Sequence, residues 1–169
     1  MDKARVLLLD DEKELVDVMK ERLELGGYIV TACYDINNAI EKVKSEKFDV
    51  AILDLIMPDT DGITAMIKLK MIRPLIECLV LSGQGTLKIA VESMKQGAFD
   101  FLEKPCDHKI VKEKIDQAFA RKQEQDKRIS KAAGKVFTKL EKALVGVTFA
   151  EAGQFETAQE MIKNHFTQV

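Results

Sequence analysis

The chain has 169 residues, 46% hydrophobic and 32% charged, with a formal net charge of −2: enough for one domain of ordinary size and an appendage, and enough apolar material for a proper core. It holds no run of about eighteen apolar residues, and the apolar run of its amino terminus, MDKARVLLLDDEKE, is too short for a signal peptide, so a membrane-spanning protein is excluded and the cytoplasm is the expected location. Cys33, Cys78 and Cys106 are widely spaced, and His108 and His165 have no partner at ligand spacing, which excludes a zinc site or disulfide framework and leaves the thiols as small packing residues.

Arg5 to Leu9 (RVLLL) reads as a buried strand ending at Asp10 and Asp11. From Glu12 to Leu25, Leu15, Val16, Val18, Met19, Leu23 and Leu25 recur at helical spacing, and Gly26-Gly27 supplies the stop. Tyr28 to Cys33 (YIVTAC) is β-branched and aromatic, hence a second strand, and Asp35 can cap a helix carrying Ala39, Ile40 and Val43. Phe48 to Asp54 is the third strand, within the stretch VAILDLIMPDTDG: an almost uninterrupted apolar run, as expected of a strand buried on both faces, ending in a carboxylate. A buried charge is costly unless paired, metal-bound or neutralised, so Asp54 calls for a reason.

A helix is expected from Ile63 to Met71, then a strand from Ile76 to Leu81 leading into Ser82-Gly83-Gln84-Gly85. The next helix spans Thr86 to Gln96 and Gly97 ends it. Ala98 to Leu102 makes a fifth strand before Lys104-Pro105, and Asp107 opens a helix with Ile110, Val111, Ile115, Ala118 and Phe119 on one side. Strands alternating with helices predict an α/β fold, a doubly wound five-stranded parallel sheet with helices on both faces. Ligands bind such sheets beyond the carboxyl ends of the strands, where strand order reverses.

That edge gathers Asp10 and Asp11 from the first strand, Asp54 from the third, Ser82 from the fourth and Lys104 after the fifth. Carboxylates so placed repel one another, and a hard cation with oxygen ligands, Mg²⁺, is their natural stabiliser. With Mg²⁺ between Asp11 and Asp54, Asp54 is a nucleophile poised to accept a phosphoryl group. Lys104 would supply a second positive charge and Ser82 a hydrogen-bond donor to another phosphoryl oxygen.

Taken together, LLLDDE, DLIMPDTDG, LSGQG and FLEKP closely resemble the receiver domain of two-component response regulators, over roughly residues 3 to 122. The segment GAFDFLEKPCD is similar to receivers that precede transcriptional activator domains. The resemblance implies a flavodoxin-like sheet of order 2-1-3-4-5, phosphotransfer to Asp54 from a sensor histidine kinase, the backbone carbonyl of Ile56 as a further Mg²⁺ ligand, and a cis peptide before Pro105. It also implies a switch in which Ser82 moves towards the phosphoryl group and Phe101, where the family more often has tyrosine, rotates inward; Gly83 and Gln84 would flank the site of water attack. Such a protein is a signalling phosphoacceptor, not an enzyme acting on other substrates. A haloacid dehalogenase-type hydrolase is the rival, but that family wants an acid where Ile56 stands.

Residues 1 to 120 carry 17 basic and 22 acidic groups, whereas residues 121 to 142 carry 8 and 3, which places a boundary near Arg121 and a second segment over residues 123–169. Lys122 to Arg128 reads as helix or linker. Beyond it Ile129, Ala133, Val136, Leu140, Leu144 and Val147 form one helical face, with Arg128, Lys131, Lys135, Lys139 and Lys142 on a neighbouring one. Gly146, Phe149, Gly153, Phe155 and Ala158 resemble one tetratricopeptide repeat at most, and a generic helical hairpin is the better reading. Phe137, Phe149, Phe155 and Ile162 then need cover from the receiver, a second copy of the chain or a partner protein. The expected output is a phosphorylation-dependent protein contact by a stand-alone regulator. The alternatives are a DNA-binding regulator using the basic helix, ranked low because no helix-turn-helix is present, and a phosphorelay carrier.

Overall fold

The computed structural model describes residues 3–58, 60–83 and 87–151, with side chains to residue 144. The elements are β1 (Arg5–Leu9), α1 (Lys13–Leu25), β2 (Ile29–Cys33), α2 (Ile36–Ser45), β3 (Val50–Asp54), α3 (Gly62–Ile72), β4 (Glu77–Ser82), α4 (Leu87–Lys95), β5 (Asp100–Glu103) and α5 (His108–Glu151). The strands form one parallel sheet of order β2-β1-β3-β4-β5, so strand order reverses between β1 and β3, as expected.

The period-two alternation of the central strands builds two cores. Leu7, Leu9, Ala51, Leu53, Cys78 and Val80 face one side, against Ala39 and Val43 of α2 and Ala65, Met66 and Leu69 of α3. Val6, Leu8, Val50, Ile52, Leu79 and Leu81 face the other, against Val16 and Leu23 of α1 and Val111, Ile115 and Ala118 of α5. Burial pushes the thiols of Cys33 and Cys78 up to about 11 and about 12, which suits packing residues rather than nucleophiles.

Local signals set the boundaries. Asp35 accepts a hydrogen bond from the Asn38 amide at 2.8 Å and caps α2, while Asp61 accepts from the amides of Ile63 and Thr64 at 3.3 Å and caps α3. Gly27 and Gly97 end α1 and α4 with φ of 95° and 96°, values that L side chains avoid. Ladder pairing defines β5 from Asp100, later than the sequence suggests, because the Ala98 amide donates back to Ser93 O at 3.0 Å and completes the end of α4.

At the amino edge of the sheet, Glu77 is 2% exposed and its Oε1 receives Arg121 Nε at 2.9 Å and Gln125 Nε2 at 3.2 Å. Lys122 Nζ lies 3.0 Å from Asp49 Oδ1, and the Arg121 guanidinium sits 5.3 Å from the centre of the Phe99 ring. Residues 122–128, read from sequence as helix or linker, are helix. Contacts divide the chain into two units after Gln125. In the second, Phe137 is 62% exposed, so nothing among the described residues covers it. The hairpin expected around Gly153, Phe155, Ala158 and Ile162 lies outside the described residues, as do Gln84 and His165. No described helix is long and apolar enough to cross a membrane.

Candidate functional site

Asp10 follows β1 directly, Asp54 is the last residue of β3, Ser82 the last of β4, and Lys104 follows β5. The parallel register brings these ends to one edge, with Leu9 level with Leu53, Asp54 with Leu81, and Ser82 with Glu103. Asp54 is 6% exposed, Asp10 8% and Ser82 0%, whereas Asp11 is exposed.

Lys104 joins the acids. Its Nζ donates to Asp10 Oδ2 at 2.6 Å and lies 3.4 Å from Asp54 Oδ1. The second oxygen of each carboxylate is held by backbone: Asp10 Oδ1 accepts from the Glu12 amide at 2.9 Å and Asp54 Oδ2 from the Ile56 amide at 3.2 Å. The Lys104 amide donates to Ser82 O at 2.8 Å, and the Lys104-Pro105 peptide is cis. A backbone tie to the end of β4 therefore fixes where the ammonium enters the site.

Burial raises the Asp54 carboxyl above the usual carboxylate value; the Lys104 ammonium draws it down, the Asp10 charge adds to the rise, and the net direction is upward. Burial alone would lower Lys104, but the hydrogen bond and charge of Asp10, followed by those of Asp54, outweigh it and raise the ammonium. Lys104 is thus held charged between two carboxylates that would otherwise repel.

Asp10, Asp11 and Asp54 each offer a carboxylate oxygen, and these atoms lie within 4.8 Å of one another. The donors are hard oxygens, with no thiolate or imidazole among them, so the set fits a hard divalent cation such as Mg²⁺ or Ca²⁺ and does not fit zinc or copper.

The loop after β3 is folded tightly over the site. Ile56 pairs with Asp61 in an isolated antiparallel bridge, and the Gly62 amide donates to Leu55 O at 3.1 Å. A β-carbon on Gly62 would fall 2.6 Å from Leu55 Cα and collide with the carbonyl oxygen of Asp54. Close approach, not backbone handedness, therefore requires glycine here.

The sheet edge thus brings together Asp10, Asp11, Asp54 and Lys104, with Ser82 buried at the end of the next strand. Phe101, on β5, is half-buried against the core that α2 and α3 cover. The sequence reading missed the direct Lys104–Asp10 pair and the role of Gly62. The Asp61-Gly62 pair carried the signal for the second, since a cap followed by glycine at a helix start marks a close crossing.

Residues 6–116 match the response regulator receiver domain family. The transcriptional regulatory protein ZraR of Salmonella typhimurium is 29% identical over 135 residues, 80% of this chain and 31% of that protein. The DNA-binding transcriptional regulator NtrC of Azospirillum brasilense is 31% identical over 118 residues, 70% of this chain and 24% of that one. The chain therefore spans about a third or less of the length of these relatives. Among solved structures, a CheY-like response regulator receiver domain from Methanospirillum hungatei superposes with a TM-score of 0.69 and 27% identity, covering 73% of this chain and 99% of that one.

Proposed function

Because the chain belongs to the response regulator receiver domain family of two-component systems, we propose that Asp54 accepts a phosphoryl group from a sensor histidine kinase and that the modified protein signals by contact with a downstream protein. The observation that carries this reading is the Lys104 ammonium set between Asp10 and Asp54, at 2.6 and 3.4 Å, on the carboxyl edge of the sheet.

The residues divide the work. The Ile56 amide holds Asp54 Oδ2, which leaves Oδ1 as the attacking atom. As its bond to phosphorus forms, the phosphorus–nitrogen bond of the phosphohistidine breaks and the imidazole leaves with its electron pair. Lys104, already beside Oδ1, faces the negative charge of the incoming phosphoryl oxygens. Asp10, Asp11 and Asp54, with the Ile56 carbonyl, would hold Mg²⁺, which supplies charge compensation for the phosphoryl oxygens when bound. Ser82 donates its hydroxyl to a phosphoryl oxygen after transfer, and Phe101 is the side chain placed to respond.

Incubation of the full chain with acetyl phosphate and Mg²⁺ is expected to add the mass of one phosphoryl group, read by intact-protein mass spectrometry, and chelation of the metal to prevent it. A wild-type chain that stays unmodified sinks the proposal. Lys104→Ala removes the cation nearest the nucleophile and is expected to slow acetyl phosphate labelling by about 100-fold. Labelling at an unchanged rate would remove Lys104 from the mechanism.

A further inference from the structure

We propose that residues 126–147 pair with a second copy of this chain as a short parallel two-stranded coiled coil. On α5, Ile129, Val136, Phe137, Leu140 and Leu144 are 53%, 68%, 62%, 55% and 59% exposed. All described side chains from residue 127 to 144 belong to the exposed class, so this apolar face is uncovered by any described residue.

Its spacing specifies the occupant. Ile129, Ala133, Val136, Leu140, Ala143 and Val147 alternate steps of four and three residues. That is the 3.5-residue repeat of a coiled-coil seam, with Ala133, Leu140 and Val147 at a positions and Ile129, Val136 and Ala143 at d. The run is about 28 Å long as a helix.

Charge placement favours a second copy over an oppositely charged partner. Arg128, Lys135 and Lys142 fall at c and Lys131 at f, on the outer surface of a two-helix pair, so two such helices meet without a row of like charges at the contact. Lys139 at g is the exception.

Shape favours the parallel arrangement. In that arrangement each g residue meets the e residue of the next heptad on the other helix. Small Ala132 then meets large Phe137, and Lys139 lays its aliphatic stem along Leu144. An antiparallel pair would set Phe137 and Leu144 among other e residues and lose this matching of small to large.

The pairing is independent of whether Asp54 is phosphorylated. Sedimentation equilibrium of the unphosphorylated full chain, from micromolar to millimolar concentration, is expected to show a monomer–dimer equilibrium. Val136→Lys and Leu140→Lys, both at exposed seam positions, should abolish it without loss of helical circular dichroism, whereas Lys142→Ala should leave it intact. In a Cys106→Ser background, Leu140→Cys should form an intermolecular disulfide under mild oxidation, since only an in-register parallel pair brings the two positions together. A chain that is monomeric throughout, a dimer untouched by the seam substitutions, or a seam needed instead for binding anionic vesicles or duplex DNA by a monomer, would each overturn the proposal.

Discussion

An Asp54→Asn chain is expected to take up no phosphoryl group from acetyl phosphate in Mg²⁺, and yet to be more stable than wild type near neutral pH. The first result follows from chemistry: the amide oxygen is a poor nucleophile and carries no charge for the cation or for Lys104 to orient. Any label that remains would lie on another residue and remove Asp54 as the acceptor.

The second result follows from the cost of the site. Burial and the Asp10 charge raise the Asp54 carboxyl, with only partial relief from Lys104. The folded chain therefore prefers Asp54 protonated. That contribution to stability is fully present below the ordinary carboxylate pKa of the unfolded chain and is lost as pH rises through the raised folded value. Asparagine is neutral throughout and loses nothing. In metal-free protein the advantage of Asp54→Asn should grow as pH rises through that window and then level off, at about 1 kcal/mol. Urea unfolding at a series of pH values in chelator measures it, and equal pH dependence of the two proteins would contradict the electrostatic account.

Gly62→Ala is expected to be among the most damaging small substitutions in the receiver. A single β-carbon there meets backbone, the Asp54 carbonyl and Leu55 Cα, which cannot swing aside as a side chain could. The loop must open, breaking the Gly62–Leu55 hydrogen bond and the Ile56–Asp61 bridge that fold the chain over the site. A loss of roughly 3 kcal/mol is expected from denaturant unfolding, together with slower labelling of Asp54 as its carbonyl shifts. Gly83→Ala is the control: nothing lies within 4 Å of its added carbon. Its stability should stay within about 0.5 kcal/mol of wild type, and equal damage at both positions would refute the close-approach argument.

Much of the receiver was legible because its signals are local. Continuous apolar runs such as VAILD can only be strands covered on both faces, glycines after helical runs mark stops, and carboxylates at strand ends need explaining wherever they occur. Those signals predicted the element order, the parallel sheet and the edge on which Asp10, Asp11, Asp54, Ser82 and Lys104 meet. They were weaker where an element's end depends on a distant partner. The start of β5 is set by ladder pairing with β4, and the helical state of residues 122–125 accompanies ion pairs to Asp49 and Glu77, far away in sequence.

By itself, then, the sequence determined which residues carry the chemistry, because residue type and strand-end position are properties of the chain alone. Only the tertiary structure decided how they are coupled: that Lys104 bonds to Asp10 more closely than to Asp54, that Gly62 lies against the backbone of β3, and that Glu77 is a buried anchor for Arg121 and Gln125. These are distances between atoms tens of residues apart along the chain. No local pattern encodes them, since they follow from packing two helical layers on one twisted sheet.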